Sequence, residues 1–144
     1  MQLTTKARYA VMAILEMASK AANHPITLAD ISQHQHIPIN YLEQIFAKLR
    51  RANLVKSVKG PKGGYIINSA LKDLTIANII DAVEENIEMT RCMRKPNANC
   101  MPNKIQCNSH YLWIGLGNHI RDYFNNISIE DVLVSNQYNK TDLV

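Results

Sequence analysis

The strongest constraint on the fold of this chain is a change in hydrophobic period at Asn53. Before this residue, apolar side chains from Leu42 to Leu49 recur at the spacing of one helix face. After it, residues 54–58 alternate as in a strand, and residues 60–67 contain a glycine-rich turn and a returning strand. Asn53 tolerates the left-handed backbone conformation in which many helices end. The sequence therefore predicts a helix followed directly by a β-hairpin.

Two further helices are predicted before this unit. Residues 4–20 carry apolar side chains at helical spacing, and Thr27 with Asp30 forms the pattern of a capping box at the start of a second helix. Pro38 disfavours helical geometry at Ile37 and suits the start of a third helix. The predicted helices cover residues 4–20, 27–35 and 38–52. Their order predicts a mainly α fold, a winged helix-turn-helix with a small β-hairpin wing.

Beyond residue 70 the pattern is again helical, interrupted by a long loop. A helix capped by Thr75 precedes residues 89–108, which have no hydrophobic period and therefore indicate a loop. A long helix over residues 109–125 and a short one beginning at Ser128 are expected to follow. The predicted organisation is a winged helix-turn-helix domain over 1–70, a connecting helix, loop and long C-terminal helix over 71–136, and a flexible tail over 137–144.

The charge of the chain is concentrated in its first half. The formal net charge is +4, and residues 1–65 hold nine basic and three acidic side chains. Residues 48–62, at the end of the third helix and in the hairpin, hold six basic side chains and no acidic one. This distribution favours a double-stranded DNA partner, with the third helix in the major groove and the wing at the minor groove or backbone. The alternative is that the basic run is only a solvated surface.

The third helix carries side chains suited to reading bases. Asn40 and Gln44 can pair with adenine, whereas Glu43 accepts a hydrogen bond from cytosine N4 and is repelled by phosphate. Tyr41 and Tyr65 either touch the DNA backbone or pack in the core. The candidate DNA-binding residues are Lys6, Arg8, Asn40, Tyr41, Glu43, Gln44, Lys48, Arg50, Arg51, Lys59, Gly60, Pro61 and Lys62.

The three cysteines lie within one 16-residue window, close to a histidine. An odd number of cysteines without an export signal argues against a disulfide framework and favours thiolate chemistry. Cys107 and His110 are three residues apart at a helix start, so both donors can face one site. No acidic residue lies between residues 89 and 110, whereas four basic ones do, and such cations stabilise bound thiolates. The candidate metal ligands are Cys92, Cys100, Cys107 and His110.

Three interpretations of these donors remain open at this point. An iron-sulfur centre suits the thiol-rich set and its cationic surroundings. A structural zinc site of the Cys3His type suits the number of ligands. Redox-active thiols in a loop are the third interpretation, although the sequence contains no CxxC pair.

Several other classes of protein are disfavoured. No segment is long and apolar enough for a membrane span, and no secretory signal is evident, so a cytoplasmic protein is expected. An enzyme or electron carrier is the rival class, but the sequence has no GxGxxG, P-loop or HExxH motif. We therefore expect a protein that is not an enzyme.

Four segments together carry a resemblance to a known family. They are residues 3–11, residues 41–46 with Leu49 and Arg50, residues 60–65 and the three cysteines. In these segments the chain resembles the family of winged-helix transcription regulators that includes the iron-sulfur cluster regulator IscR. The resemblance covers residues 1 to about 134.

The resemblance implies a homodimer in which the long C-terminal helices act as dimerisation helices. It implies that Cys92, Cys100, Cys107 and His110 hold a [2Fe-2S] cluster, and that the cluster-bound protein represses the cluster-assembly genes. The form without the cluster would retain a different set of DNA sites, which Glu43 would help to distinguish. Iron-sulfur assembly scaffold proteins are further expected partners. A nitric-oxide-sensing relative with a [4Fe-4S] cluster and a DNA-binding protein with structural zinc are the alternatives.

Overall fold

The computed structural model describes residues 3–20, 23–83, 90–93 and 99–141. Its helices and strands are α1 (Thr5–Ala18), α2 (Leu28–Gln35), α3 (Ile39–Arg51), β1 (Val55–Val58), β2 (Gly64–Ile67), α4 (Ile76–Ala82), α5 (His110–Asn125) and α6 (Ile129–Thr141). Two short 3-10 turns lie at Arg91–Met93 and Pro102–Lys104. This order confirms the predicted mainly α fold with a winged helix-turn-helix.

Short side chains satisfy the free amide groups at several helix starts. The Thr27 hydroxyl accepts a hydrogen bond from the Asp30 amide at 3.1 Å, and the Asp30 carboxylate accepts one from the Thr27 amide. Thr75 and Asn78 form the same reciprocal pair at the start of α4. These capping contacts set the first residue of each helix, as the sequence pattern predicts.

The core of the winged domain lies between α1, α2 and α3. The predicted inward face of α3 is fully buried, since Leu42, Ile45, Phe46 and Leu49 are all 0% exposed. Small residues of α1, such as Ala10 and Ala13, are equally buried and allow these helices to approach closely. Removing the apolar faces from water is the main stabilising contribution to this arrangement.

The wing is a two-stranded antiparallel hairpin attached to the segment before α2. Val55 pairs with Ile67, and Asn53 has a φ of 59°, the left-handed conformation predicted for it. The Tyr65 amide donates to the Ile26 carbonyl at 2.8 Å, and the Ile26 amide donates to the Tyr65 carbonyl at 3.0 Å. Because these bonds connect the hairpin to the helical core, the wing has a defined position beside α3.

The C-terminal helices are joined to the winged domain at the corner between α5 and α6. The Ile76 amide donates to the Ile127 carbonyl at 2.9 Å, and the Ile129 amide donates to the Leu74 carbonyl at 2.9 Å. Ser128, at the centre of the corner, is buried. This end of α5 is therefore fixed to the start of α4.

A bidentate ion pair also joins α5 to α4. The Arg121 guanidinium donates to both carboxylate oxygens of Asp81, one of them at 2.6 Å. The fork of donors on arginine matches the carboxylate geometry and restricts the orientation of both side chains. The pair supports the connection made by the corner residues.

The last helix is longer than the sequence pattern predicts. It runs to Thr141, so the start of the predicted tail at residue 137 lies inside α6. The segment 136–141 is polar, but it contains neither glycine nor proline to end a helix.

In the part of the chain that the structure describes, no helix combines the length and apolar character required to span a membrane.

A half-buried carboxylate joins α1 to α2. Glu16, with a side chain 11% exposed, receives hydrogen bonds from Gln35 Nε2 at 2.7 Å and His34 Nδ1 at 2.9 Å. Burial alone would raise the pKa of Glu16, but the contacts with His34, Gln35 and Lys20 hold it below its ordinary value of 4.5. The ionised carboxylate therefore stabilises the packing of the first two helices.

The close approach of the wing to Ile26 generates a first prediction. Gly64 has a φ of +153°, and a Cβ at this position would meet the backbone of Ile26. We expect Gly64→Ala to lower the free energy of unfolding by about 1–3 kcal/mol, because an unfavourable backbone angle and a steric clash coincide. Urea denaturation checks this, with Ser57→Ala on the exposed side of β1 as a control within about 0.5 kcal/mol of wild type. Equal stability of the two variants would contradict it.

The Glu16 contacts generate a prediction for acidic pH. Because folding lowers the pKa of Glu16, its contribution is present above pH 4.5 and lost as the pH falls through the lowered value. We expect Glu16→Gln to be less stable than wild type by about 1–3 kcal/mol at neutral pH, with the difference shrinking in acid. Denaturation at a series of pH values measures it, with Asp73→Asn as the control for an exposed carboxylate. A difference that stays constant down to about pH 3 would contradict the prediction.

Candidate nucleic-acid interface and metal centre

The outward face of α3 presents polar side chains opposite its buried face. The helical period of 3.6 residues directs five side chains away from the buried apolar face, and all of them are exposed: Asn40, Glu43, Gln44, Arg50 and Arg51. Lys48 lies on the same helix and is half-buried. The candidate base-reading residues thus form one continuous surface together with basic side chains.

The structure distinguishes the two tyrosines whose roles were open. Tyr41 is 41% exposed at the first turn of α3, with its ring edge-to-face against Tyr9 at a centroid distance of 5.8 Å. Tyr65 is half-buried, with its ring 4.9 Å from that of Phe46. Tyr41 therefore belongs to the outer surface, whereas Tyr65 packs against the core.

The tip of the wing is basic and held by a glycine turn. Gly60 has a φ of +113°, and its carbonyl accepts a hydrogen bond from the Gly63 amide at 2.9 Å. A Cβ on Gly63 would meet the carbonyl oxygens of Val58 and Gly60, so the turn requires glycine there. The exposed residues of this tip are Lys59, Gly60, Pro61 and Lys62.

The two cations at the start of α1 have different surroundings. Lys6 is half-buried, and Arg8 is exposed. Arg8 borders an apolar groove of about 380 Å³ that also includes Val11 of α1, Ile80 of α4, and Phe124 at the end of α5. The structure thus places Arg8 where the winged domain meets the C-terminal helices.

Three of the four predicted metal ligands converge. The donor atoms of Cys92, Cys100 and His110 lie within 4.8 Å of one another, although the residues are up to 18 positions apart. Cys100 Sγ is 3.0 Å from His110 Nδ1. His110 is the first residue of α5 and is buried, so the start of the helix delivers the imidazole to the two loop thiols.

Cys107 lines the same cavity but stands outside this group of three donors. The cavity measures about 370 Å³ and is lined by Thr90, Cys92, Asn99, Cys100, Cys107 and Trp113. Cys107 Sγ is 3.4 Å from the Ser109 hydroxyl, which accepts a hydrogen bond from Trp113 Nε1 at 3.1 Å. The fourth predicted ligand, Cys107, therefore lines the cavity from the segment just before α5.

The thiols have different acidities. The Ser109 hydroxyl and the Cys100 thiol lower the pKa of Cys107. A backbone hydrogen bond from Cys107 lowers the pKa of Cys100, but desolvation and the neighbouring thiols of Cys107 and Cys92 outweigh it and raise the pKa. Cys107 is therefore the more readily deprotonated of the two, which matters because the thiolate is the form that binds metals.

Hydroxyl groups beside the cysteines are site residues that the sequence analysis missed. Thr90 Oγ1 is 2.9 Å from Cys92 Sγ, and Ser109 has the corresponding position beside Cys107. Each hydroxyl lies two residues from its cysteine, and this spacing is the signal that could have identified them.

Of the four cations expected near the site, Arg94 and Lys95 lie outside the described residues, as do the side chains of Arg91 and Lys104.

The donor set suits a metal or an iron-sulfur centre. Sulfur and imidazole nitrogen are ligands for both zinc and iron-sulfur clusters. Zinc–sulfur bonds of about 2.3 Å place tetrahedral ligands about 3.8 Å apart, which is compatible with the spacing of the three donors. The donors thus fit a bound metal centre, and the donor chemistry is common to zinc and to iron-sulfur clusters.

The long helix α5 leaves an apolar face uncovered. Of the predicted stripe, Ile120 and Phe124 are half-buried, whereas Trp113 and Leu116 are 36% and 40% exposed. Other exposed apolar or aromatic side chains of this helix are Tyr111, Leu112 and Tyr123. A patch of this kind is typical of a protein–protein interaction surface.

Comparisons with known proteins agree with this architecture. The Rrf2 family pattern, described as an iron-dependent transcriptional regulator, matches residues 3–135. The HTH-type transcriptional regulator IscR of Vibrio parahaemolyticus is 42% identical over 137 residues, which are 95% of this chain and 80% of that protein.

Two solved structures have the same fold. CymR, the global cysteine regulator of B. subtilis, has a TM-score of 0.77 and 28% identity, with 92% of this chain and 95% of that chain covered. T. potens IscR has a TM-score of 0.76 and 28% identity, with 94% and 88% covered. These relatives are transcriptional regulators rather than enzymes, and the predicted resemblance is confirmed. The chain therefore belongs to the Rrf2 family of iron-dependent transcriptional regulators.

Proposed function

We propose that this regulator binds duplex DNA as a homodimer and that a [2Fe-2S] cluster, held by Cys92, Cys100, Cys107 and His110, determines which operators it binds. Its proposed targets are genes for iron-sulfur cluster assembly, as the resemblance found in the sequence implies. The observation that carries the proposal is the convergence of Cys92, Cys100 and His110 on the same chain as a basic winged helix.

The DNA contacts follow from the exposed face of α3 and the wing. Asn40, Glu43 and Gln44 read base edges in the major groove, where their amide and carboxylate groups match adenine and cytosine. The basic and tyrosine side chains position the duplex through its phosphates, and the wing reaches the minor groove or backbone. The proposed phosphate and wing contacts are Lys6, Arg8, Tyr41, Lys48, Arg50, Arg51, Lys59, Gly60, Pro61 and Lys62.

The homodimer uses the apolar face of α5. Leu112 and Leu116 are four residues apart and are 64% and 40% exposed, so a second copy of α5 would bury both. A twofold dimer would place its two recognition helices on half-sites about 34 Å apart, one turn of the duplex. The pairing also explains why a helix so exposed on one side is stable in water.

The cluster would restrain the loop against the start of α5. His110 lies at one end of this helix, and the other end is fixed to the winged domain through the corner at Ser128. When bound, the cluster supplies a restraint that depends on iron and on redox state. Holding Cys92 and Cys100 at His110 therefore favours one arrangement of the winged domains, and its loss changes their distribution among arrangements.

Two alternative centres use the same donors. A [4Fe-4S] cluster would make the chain resemble the nitric-oxide-sensing regulators, and a zinc ion would make the site structural. The group of Cys92, Cys100 and His110, with the Cys107 sulfur beside it, is compatible with either centre, since both use thiolate and imidazole ligands.

We also propose a cytoplasmic location, with scaffold proteins for iron-sulfur assembly as the source of the cluster.

Metal analysis of protein purified without oxygen tests the cluster. We expect about two iron atoms and two sulfide ions per chain, with visible charge-transfer absorption. Single substitution of Cys92, Cys100 or Cys107 by serine should reduce the iron content severalfold, whereas His119→Ala, an exposed position on α5, should leave it unchanged. A colourless protein with about one zinc per chain would establish the structural alternative and contradict the cluster.

Binding to duplex DNA separates positioning residues from reading residues. We expect Lys62→Ala to weaken binding to all sequences and to lower the slope of log affinity against log salt by about 1 per protomer. Glu43→Ala should instead change which sequences are preferred, because its carboxylate discriminates between bases. Lys72→Ala, an exposed cation outside the basic run, is the matched control. The assigned roles would be contradicted if Glu43→Ala lowered the affinity for all sequences equally, or if Lys62→Ala left the affinity for DNA unchanged.

A further inference from the structure

The winged domain exposes very few large apolar side chains. Among the described residues 3–20 and 23–83, the exposed ones are Ile39 at 47% and Tyr41 at 41%. Both lie in the first turn of α3, on the helix that the proposed function places in the major groove. On a helix that enters the major groove, exposed apolar groups in the first turn lie where they can contact the edges of bases.

Tyr41 has an aromatic packing partner within the protein, whereas Ile39 is not among the apolar side chains packed against the described core. The Tyr41 ring lies edge-to-face against Tyr9, which belongs to α1. The start of α3 already has a hydrophobic staple, since Ile37 before the cap and Leu42 in the first turn are 1% and 0% exposed. An isoleucine at the first helical position is therefore required neither by the core nor by the cap.

Ile39 also has a poor intrinsic fit to its position. A β-branched side chain loses rotamer freedom in a helix and has lower helix propensity than alanine. Half of its surface is in water, so folding gains less than full burial would provide. Ile39 therefore contributes less to folding than a fully buried isoleucine would, and it leaves an aliphatic group exposed for contact with a ligand.

The position of Ile39 identifies the group it would touch. Glu43 lies four residues later, so the two side chains are neighbours on one edge of α3. Glu43 is suited to accept from cytosine N4, and the apolar group of the major groove is the thymine C5-methyl. The basic residues between 48 and 62 supply the phosphate contacts that would hold the helix in this groove.

We propose that Ile39 is a specificity-determining residue that contacts the C5-methyl group of a thymine beside the base pair read by Glu43. The inference rests on the proposed function, because it requires α3 to enter the major groove. It adds an aliphatic side chain to a recognition surface that otherwise presents amide, carboxylate, basic and tyrosine side chains. The operator half-site should therefore contain a thymine whose methyl group matters at this step.

Replacing thymine by deoxyuridine tests the contact, because only the methyl group is removed. The probe is a duplex enriched by the wild-type protein from a random library, in which each thymine is replaced in turn. Fluorescence anisotropy should show one position per half-site where deoxyuridine weakens wild-type binding about 3- to 5-fold, the value of one buried methyl. Ile39→Ala should bind the thymine and uracil duplexes equally at that position.

Two further variants serve as controls. Ile39→Val, which retains a branched side chain, should keep part of the discrimination. Val134→Ala removes another exposed apolar group, on α6, and should discriminate as wild type does. Thermal unfolding of each variant confirms that the fold is retained.

The possible failures of the two proposals are distinguishable. If wild type is insensitive to deoxyuridine everywhere, or Ile39→Ala discriminates as wild type does, the inference is wrong while the DNA-binding proposal stands. If the wild-type protein enriches no duplex, the proposed function fails, and the inference that depends on it fails as well.

Discussion

Burial of one face of α3 is the constraint on which the rest of the winged domain depends. Leu42, Ile45, Phe46 and Leu49 are withdrawn completely from water, so the helix cannot rotate without exposing several large apolar groups. Helical periodicity then directs Asn40 and Gln44 outward. The same packing that stabilises the domain thus selects which side chains a DNA duplex can meet.

The attachment of the wing and of α5 extends this constraint to the remainder of the chain. Two backbone hydrogen bonds between Ile26 and Tyr65 connect the hairpin to the core, and the corner at Ser128 connects α5 to α4. With 16 residues at a rise of about 1.5 Å each, α5 places His110 about 24 Å from that corner. A restraint on His110 consequently acts at the far end of a rigid element joined to the winged domain.

The candidate metal site is held together by different interactions from those that stabilise the core. Its cavity is lined by three thiols, one hydroxyl group, one amide and an indole, and these residues come from the loop and the start of α5. Hydrogen bonds such as Cys100 to His110 and Thr90 to Cys92 gather the donors, but each contributes only about 1 kcal/mol. Metal binding would therefore supply much of the stability of this region, as in other small metal sites.

Local chemistry in the sequence determined the helix starts at Thr27 and Thr75, the left-handed residue Asn53 and the buried face of α3, because caps and periodicity involve residues only a few positions apart. It also identified the cysteines and His110 as candidate ligands through their chemistry. Only the tertiary structure separated Tyr41 from Tyr65, brought Arg8 to the C-terminal helices and gathered Cys92, Cys100 and His110, because these placements depend on contacts distant in the chain. The extension of α6 to Thr141 was also missed, since a polar segment without helix breakers carries no strong local signal.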